Sequence, residues 1–250
     1  MEIKIKEPQY CCEIGRRKNN EDSIFPAPSA ATDISRLFLV CDGMGGHEDG
    51  EIASKTTTEA IADYWAENRQ LPDNPQKVIF AITAAISSME QLVTETKGSE
   101  SMGTTMTLAS IGTKNILVAH VGDSRIYQIR PGSGIVYQSK DHSLVQTWVD
   151  NGLLTPEQAR VHPKNNVITQ VVQPGGLADI HPEVVVLNDI MDGDYLFLCS
   201  DGITESIDDN LLIEILSGQI SDFEKMEKMK QICLDHSRDN HSAYLIPLVV

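Results

Sequence analysis

The chain has 250 residues, 41% of them hydrophobic, and a net charge of −16. That length supplies a core for one large domain or at most two, and the acidic balance disfavours nucleic-acid binding, which needs a basic surface. The five cysteines (Cys11, Cys12, Cys41, Cys199, Cys233) contain no C-x-x-C pair, so a disulfide framework or a cysteine zinc site is disfavoured and reduced, mostly buried thiols are expected.

No apolar run approaches the ~20 residues that cross a bilayer. "MEIKIKEPQY" (1–10) lacks a signal-peptide core, so the expectation is a soluble, cytoplasmic protein with no membrane partner. "NNEDS" (19–23) precedes a strand-like segment, "FPAPSAATD" (25–33) reads as a loop, and "RLFLVC" (36–41) as a strand. Ile52, Ala53, Thr56, Ala60, Ile61, Tyr64 and Trp65 recur at helical spacing. After the loop "NRQLPDNPQ" (68–76), Val78, Ile79, Ile82, Ala85, Ile86, Met89, Leu92 and Val93 predict a second amphipathic helix. Strands at 104–111, 115–121, 125–130 and 134–138 follow with short turns and suggest an antiparallel meander.

Residues 142–180 are mixed polar and helical, broken by "HPKNN" and "QPGG", and read as an excursion from the core. Strands at 183–188 and 195–199, helices at 208–217 and 222–236, and a strand at 244–250 complete the chain. Pro247 suits an edge or a strand end. Strand groups with segregated helices indicate α+β rather than alternating βαβ.

The chemistry centres on two similar stretches. "LFLVCDG" (37–43) and "YLFLCSDG" (195–202) each end an apolar run on Asp-Gly. In "LVCDGMGGHEDGE" the glycines fail as a phosphate cradle: G-x-x-x-x-G-K-[ST] is absent, and G-x-G-x-x-G breaks at Glu48. Calcium-loop spacing is absent too. A strand-terminal Asp projects past the core, and the Gly lets the backbone approach a ligand; taken singly, each pair is equally an ordinary Asp-Gly turn. Acids at other junctions extend the set to Glu21, Asp22, Asp42, Asp123, Asp201 and Asp239. If they converge, they need cations to offset their repulsion, and oxygen-only donors favour Mg²⁺ or Mn²⁺ over zinc. Spacing alone does not establish convergence.

"RKNNEDS" (17–23), "VCDGMGGHEDGEIAS" (40–54), "MGTTMTL" (102–108), "AHVGDSRIY" (119–127), residues 140–172, "GDYLFLCSDGITESIDD" (193–209) and "RDN" (238–240), in that order, resemble the metal-dependent Ser/Thr protein phosphatases of the 2C type, in their compact bacterial branch. The resemblance implies one catalytic domain over 1–250: a four-layer α/β/β/α sandwich of two antiparallel sheets flanked by helices, with a flap over about 143–180. By position, Asp42 would bridge two Mn²⁺ or Mg²⁺ ions and the Gly43 carbonyl would ligate one of them. Glu21 stands where the family holds metal directly or through water, with Asp22 as an acid behind it. Asp201 and Asp239 would ligate the other ion, and Asp123 with Asp201 a third, weaker one. Arg17 matches the phosphate-binding arginine.

The reaction so implied is hydrolysis of phosphoserine and phosphothreonine by a metal-activated water. The implied partners are phosphoprotein substrates, including a bacterial Ser/Thr kinase that the enzyme opposes, and the family default is a monomer. Where many eukaryotic members carry a histidine proposed as general acid, this chain has Met44; His47 is a lesser candidate, and His120 and His142 are read as structural. A pseudophosphatase that binds phosphoproteins without turnover, and a regulator acting on anti-sigma antagonist proteins, are the alternatives. The first would usually have lost metal ligands, which here are retained.

Overall fold

Nearly every central strand of this chain is buried on both faces, as expected of strands covered on two sides. The computed structural model describes residues 2–45, 49–96 and 101–250. In chain order the elements are β1 (Lys4–Ile5), β2 (Gln9–Glu13), β3 (Asp22–Phe25), β4 (Leu37–Met44), α1 (Asp49–Glu67), α2 (Pro75–Thr96), β5 (Gly103–Thr104), β6 (Met106–Ile111), β7 (Ile116–Val121), β8 (Arg125–Arg130) and β9 (Gly134–Gln138). There follow α3 (Leu144–Asp150), α4 (Pro156–Arg160), β10 (Glu183–Leu187), β11 (Tyr195–Cys199), α5 (Asp201–Thr204), α6 (Asp209–Ser217), α7 (Asp222–His236) and β12 (His241–Val249).

Two antiparallel sheets result. One has the order β1-β12-β11-β8-β9, with β2 also on β12; the other runs β10-β7-β6-β4-β3, with β5 on β4. Alternation along each strand builds the layers. In β4, Leu37, Leu39 and Cys41 join Ile61, Trp65, Val78, Ile82 and Met89 of α1 and α2. The intervening Phe38 and Val40 join Leu196, Leu198, Tyr244 and Ile246 of the facing sheet. Phe197, Cys199, Ala243 and Leu245 point the other way, to Leu212, Leu216, Met229 and Cys233 of α6 and α7. The result is helix, sheet, sheet, helix. Each fully buried Leu, Ile or Phe contributes about 1.5–3 kcal/mol.

Several sequence expectations change. The segment 104–138 is not one meander: β6 pairs with β7 and β8 with β9, but in opposite sheets. The chain crosses between them at Gly122–Ser124, where Gly122 has φ +98° and a Cβ would sit 2.6 Å from the Thr105 methyl. Pro247 lies in a central strand near its end. Its carbonyl accepts from the Lys6 amide, so its missing N–H faces the gap where the chain leaves the ladder between β1 and β2. The buried face of α1 is Gly50, Ala53, Ser54, Thr57, Thr58, Ile61, Ala62 and Trp65, leaving Ile52 exposed; Thr58 instead bonds Ser23 Oγ at 2.7 Å.

The expectation that no apolar run approaches bilayer length is qualified by helix α2, which over Pro75–Glu95 is long and apolar enough by composition to cross a bilayer. Here its stripe Val78, Ala81, Ile82, Ala85, Ile86 and Met89 lies in the core under α1. Cys11, Cys41, Cys199 and Cys233 are buried free thiols and Cys12 is half-buried.

Candidate metal centre

The layer between the sheets is apolar along most of its length and changes character at one end. The inward positions of β4 read Phe38, Val40 and then Asp42, and Asp22 of β3 lies directly opposite Asp42 in register. On the facing sheet Leu196 and Leu198 give way to Ser200, and Tyr244 to Ser242. Ser200 Oγ donates to Asp22 Oδ2 at 2.8 Å, and the Ser242 amide donates to Ser200 Oγ at 3.0 Å. The next inward step past the core in both sheets is therefore polar.

Two expectations about position are corrected. Asp42 does not end its strand; β4 continues through Gly43 to Met44 because β3 and β5 pair with it there. Asp201 is the first residue of α5, behind the N-cap Ser200. The backbone of Asp42 is held at both ends by the 103–105 turn. Its N–H donates to Thr105 Oγ1 at 3.0 Å, while its carbonyl accepts from the Thr105 amide and the Thr104 hydroxyl, each at 2.9 Å. Thr105 Oγ1 in turn meets Ser124 Oγ at 2.7 Å, which ties Asp42 to the turn carrying Asp123.

Both Asp-Gly glycines are required by close packing. A Cβ on Gly43 would lie 2.0 Å from the Gly50 carbonyl oxygen, and one on Gly202 would lie 1.9 Å from that of Asn240. The Gly43 amide is bonded to the Glu21 carbonyl at 3.0 Å, and Glu21 Oε2 would be 2.9 Å from a Cβ on Gly50. Asn240 ties this region together. Its Nδ2 donates to the carbonyls of Ile14 (2.8 Å) and Asn19 (2.9 Å), and its Oδ1 accepts from the Glu21 amide (2.9 Å). Arg17 Nη2 donates to Asp239 Oδ2 at the open rim.

The electrostatics follow from burial. Asp42 is held well above the usual carboxylate range, first by burial and then by Asp201, Asp22 and Asp123. Burial also lifts Asp22 to about 7, Asp123 to about 8 and Asp201 to about 6, each against a neighbouring carboxylate. Asp42 and Asp201 act on one another, and each raised carboxyl reflects a crowd of buried acids rather than a single pair. Three buried oxygens, Asp22 Oδ1, Asp123 Oδ1 and Asp201 Oδ1, have no hydrogen-bond partner among the described residues. Buried polar atoms are ordinarily satisfied, so these oxygens fit a role in binding cations.

The structure thus brings Asp22, Asp42, Asp123, Asp201 and Asp239 to one end of the sandwich, with Glu21 and Arg17 alongside. Met44 pairs with Gly103, and the side chains of Met44, Val171 and Gln173 surround that glycine at the return of the 143–180 segment. His47 lies outside the described residues. The sequence reading gave no role to Ser200 or Asn240; an Asn after Asp239 and a Ser before Asp201 were the only local signals.

Residues 13–232 match the Protein phosphatase 2C family. The chain is 33% identical over 200 residues to the Ser/Thr protein phosphatase PstP of Mycobacterium tuberculosis, covering 80% of this chain and 36% of that one. It is 33% identical over 217 residues to the protein phosphatase PhpP of Streptococcus pneumoniae, covering 86% and 85%. The crystal structure of the PstP catalytic domain with two manganese ions superposes with a TM-score of 0.81 at 28% identity, covering 99% of this chain and all of that one. The chain therefore spans about a third of the mycobacterial relative, essentially its catalytic portion. With those carboxylates at the end of two antiparallel sheets flanked by helices, this chain belongs to the protein phosphatase 2C family.

Proposed function

We propose that this chain is a metal-dependent protein serine/threonine phosphatase that hydrolyses phosphoserine and phosphothreonine. One observation carries the reading: buried carboxylates from both sheets converge with three unsatisfied oxygens, beside an arginine whose side chain is 53% exposed. The residues fit divalent ions. Their donors are oxygens alone, suited to Mg²⁺ or Mn²⁺, and the catalytic domain of PstP is described with two manganese ions. Asp42, with Asp201 and Asp239, would hold two ions; Glu21 and the Gly43 carbonyl complete the set, with Asp22 behind them and Asp123 beside a third ion. Bound there, such ions lower the pKa of water toward neutrality.

The protein's own residues do the rest. Asp239 engages one arm of the Arg17 guanidinium, leaving its other N–H groups to take phosphoryl oxygens in a planar fork. The Thr104–Thr105 clamp holds the Asp42 backbone at both its N–H and its C=O, so the carboxylate is carried on a fixed support. Met44 has no ionisable proton, so it does not protonate the leaving seryl or threonyl oxygen, and a water at the site could serve instead. The substrates are phosphoproteins, including a Ser/Thr kinase that this activity opposes. One catalytic domain over 1–250, acting as a cytoplasmic monomer with 143–180 as a flap beside the site, completes the reading. Retention of every carboxylate argues against a pseudophosphatase.

The test is phosphate release from para-nitrophenyl phosphate and a phosphothreonine peptide with Mn²⁺ and then with EDTA. Metal-dependent release is expected; none from either substrate would overturn the proposal.

A further inference from the structure

A second group of ligand-type side chains stands apart from the carboxylates. His120 of β7, His142 and Glu183 of β10 each offer one ligand atom, all within 4.8 Å of one another. Register places Glu183 directly across from His120 on the neighbouring strand, so their side chains share a face. The imidazoles of His120 and His142 stack with centroids 4.5 Å apart and planes at 27°. His120 has no solvent exposure, while His142 and Glu183 are half-buried, so the group is closed beneath and open at the side.

The hydrogen bonding of His120 leaves one ring nitrogen free to act as a ligand. Nε2 lies 2.7 Å from the Lys140 carbonyl oxygen, which can only accept, so Nε2 carries the proton. Nδ1 is left as a buried lone pair with no partner. Metal-bound histidines typically place their other nitrogen on a backbone carbonyl in this way. Burial lowers both imidazole pKa values, His142 to about 4, so both rings are neutral and need lose no proton to bind an ion.

We propose that His120, His142 and Glu183 form a transition-metal site, for Zn²⁺ or Co²⁺, that staples the two roots of the 143–180 segment to β7. A two-His, one-carboxylate set with an open position suits these ions and not the Mg²⁺ favoured by the oxygen-only centre. At Zn–N distances near 2.0–2.1 Å, tetrahedral ligand atoms lie about 3.3 Å apart, so the group closes by at most roughly 1.5 Å on binding. His142 directly precedes the segment, and Glu183 lies shortly after its end. His142 Nδ1 now accepts from the Gly122 amide at 3.2 Å. Ligation through Nε2 requires the Nδ1–H tautomer and gives up that long bond, while the bond from the His142 amide to the Gly122 carbonyl (2.9 Å) remains. Occupancy is thereby felt at the residue preceding Asp123.

The experiment is a Co²⁺ titration of the full chain in excess Mg²⁺, read by visible absorption. Cobalt on oxygen ligands is pale, whereas four-coordinate, nitrogen-ligated cobalt absorbs strongly, so the signal does not depend on the carboxylate centre or on turnover. One strongly absorbing Co²⁺ per chain, displaced by Zn²⁺, is expected. Glu183→Gln, which keeps the side chain's shape, and His142→Ala should each weaken it at least about tenfold. Trypsin cleavage within the segment should slow on adding Zn²⁺ to the wild type and not to Glu183→Gln. Absence of the absorbing ion, equal affinity in both folded variants, or cleavage indifferent to bound Zn²⁺ would overturn the proposal.

Discussion

Asp42-Gly43 and Asp201-Gly202 are the same dipeptide at the end of similar apolar runs, and the fold uses them differently. Asp42 sits inside a strand with its backbone bonded on both sides. Asp201 opens a four-residue helix and has no comparable clamp on its amide among the described residues. What they share is the glycine's purpose. In both, another backbone carbonyl occupies the space of a Cβ, the Gly50 carbonyl against Gly43 and the Asn240 carbonyl against Gly202. The repeated motif therefore records close approach of chain segments rather than a repeated turn.

That comparison can be broken by mutation. Asp42→Asn and Asp201→Asn should each lower kcat by on the order of 10²–10³ or more, with Asp42 the more severe because Asp201, Asp22 and Asp123 all act on it. Near-wild-type kcat in a folded Asp42→Asn variant would remove it from the centre. Gly43→Ala and Gly202→Ala should each destabilise by about 1–3 kcal/mol or more in urea unfolding, as overpacking does. A neutral effect at either would show that the neighbouring carbonyl yields.

The third contrast is with pH. Asp22, Asp123 and Asp201 have folded pKa values of about 7, 8 and 6, above the ordinary 3.8. The folded chain then retains protons at these groups that the unfolded chain has released, so their contribution to metal-free stability is fully present below about pH 4 and is lost as pH rises to about 8. Thermal melts in EDTA should show Tm dropping across that window by several degrees, and Mn²⁺ should raise Tm more at pH 8 than at pH 5. A metal-free Tm that climbs over this range would contradict the convergence of charge. The smallest effect is expected at Thr105→Val, which strands the Asp42 amide and should cost about 1–3 kcal/mol. It should affect kcat more than KM, since Thr105 is fully buried and bonds the Asp42 backbone rather than facing solvent; a pure KM effect would refute the clamp.

The sequence made some of this plain. β8, β9 and β11 lie at the expected bounds, because each is a short apolar run between polar or glycine breakers, and α7 also lies where a helix is expected. β1 and β2 were missed: they are short, polar on one side, and exist as strands only by pairing with β12. The change of sheet after Val121 was invisible because pairing partners are tertiary facts, while hairpin spacing is local. The six acids were visible singly, but their meeting depends on contacts such as Ser200 to Asp22, distant in the chain. Likewise His120 and His142 read as structural, since nothing local announces that Glu183 will return opposite His120.

Asn240 gives the site an order of assembly. Its side chain fixes the carbonyls of Ile14 and Asn19 and the amide of Glu21, and it lies on the doorstep of β12, to which β1 and β2 attach. Arg17 and Glu21 leave the ribosome early, yet the residue that seats them arrives more than two hundred positions later. Such distant pairing is slow to close. A nascent chain can thus lay down its helices and most of one sheet while its chemistry is still incomplete, and the constellation becomes whole only when the final strand docks.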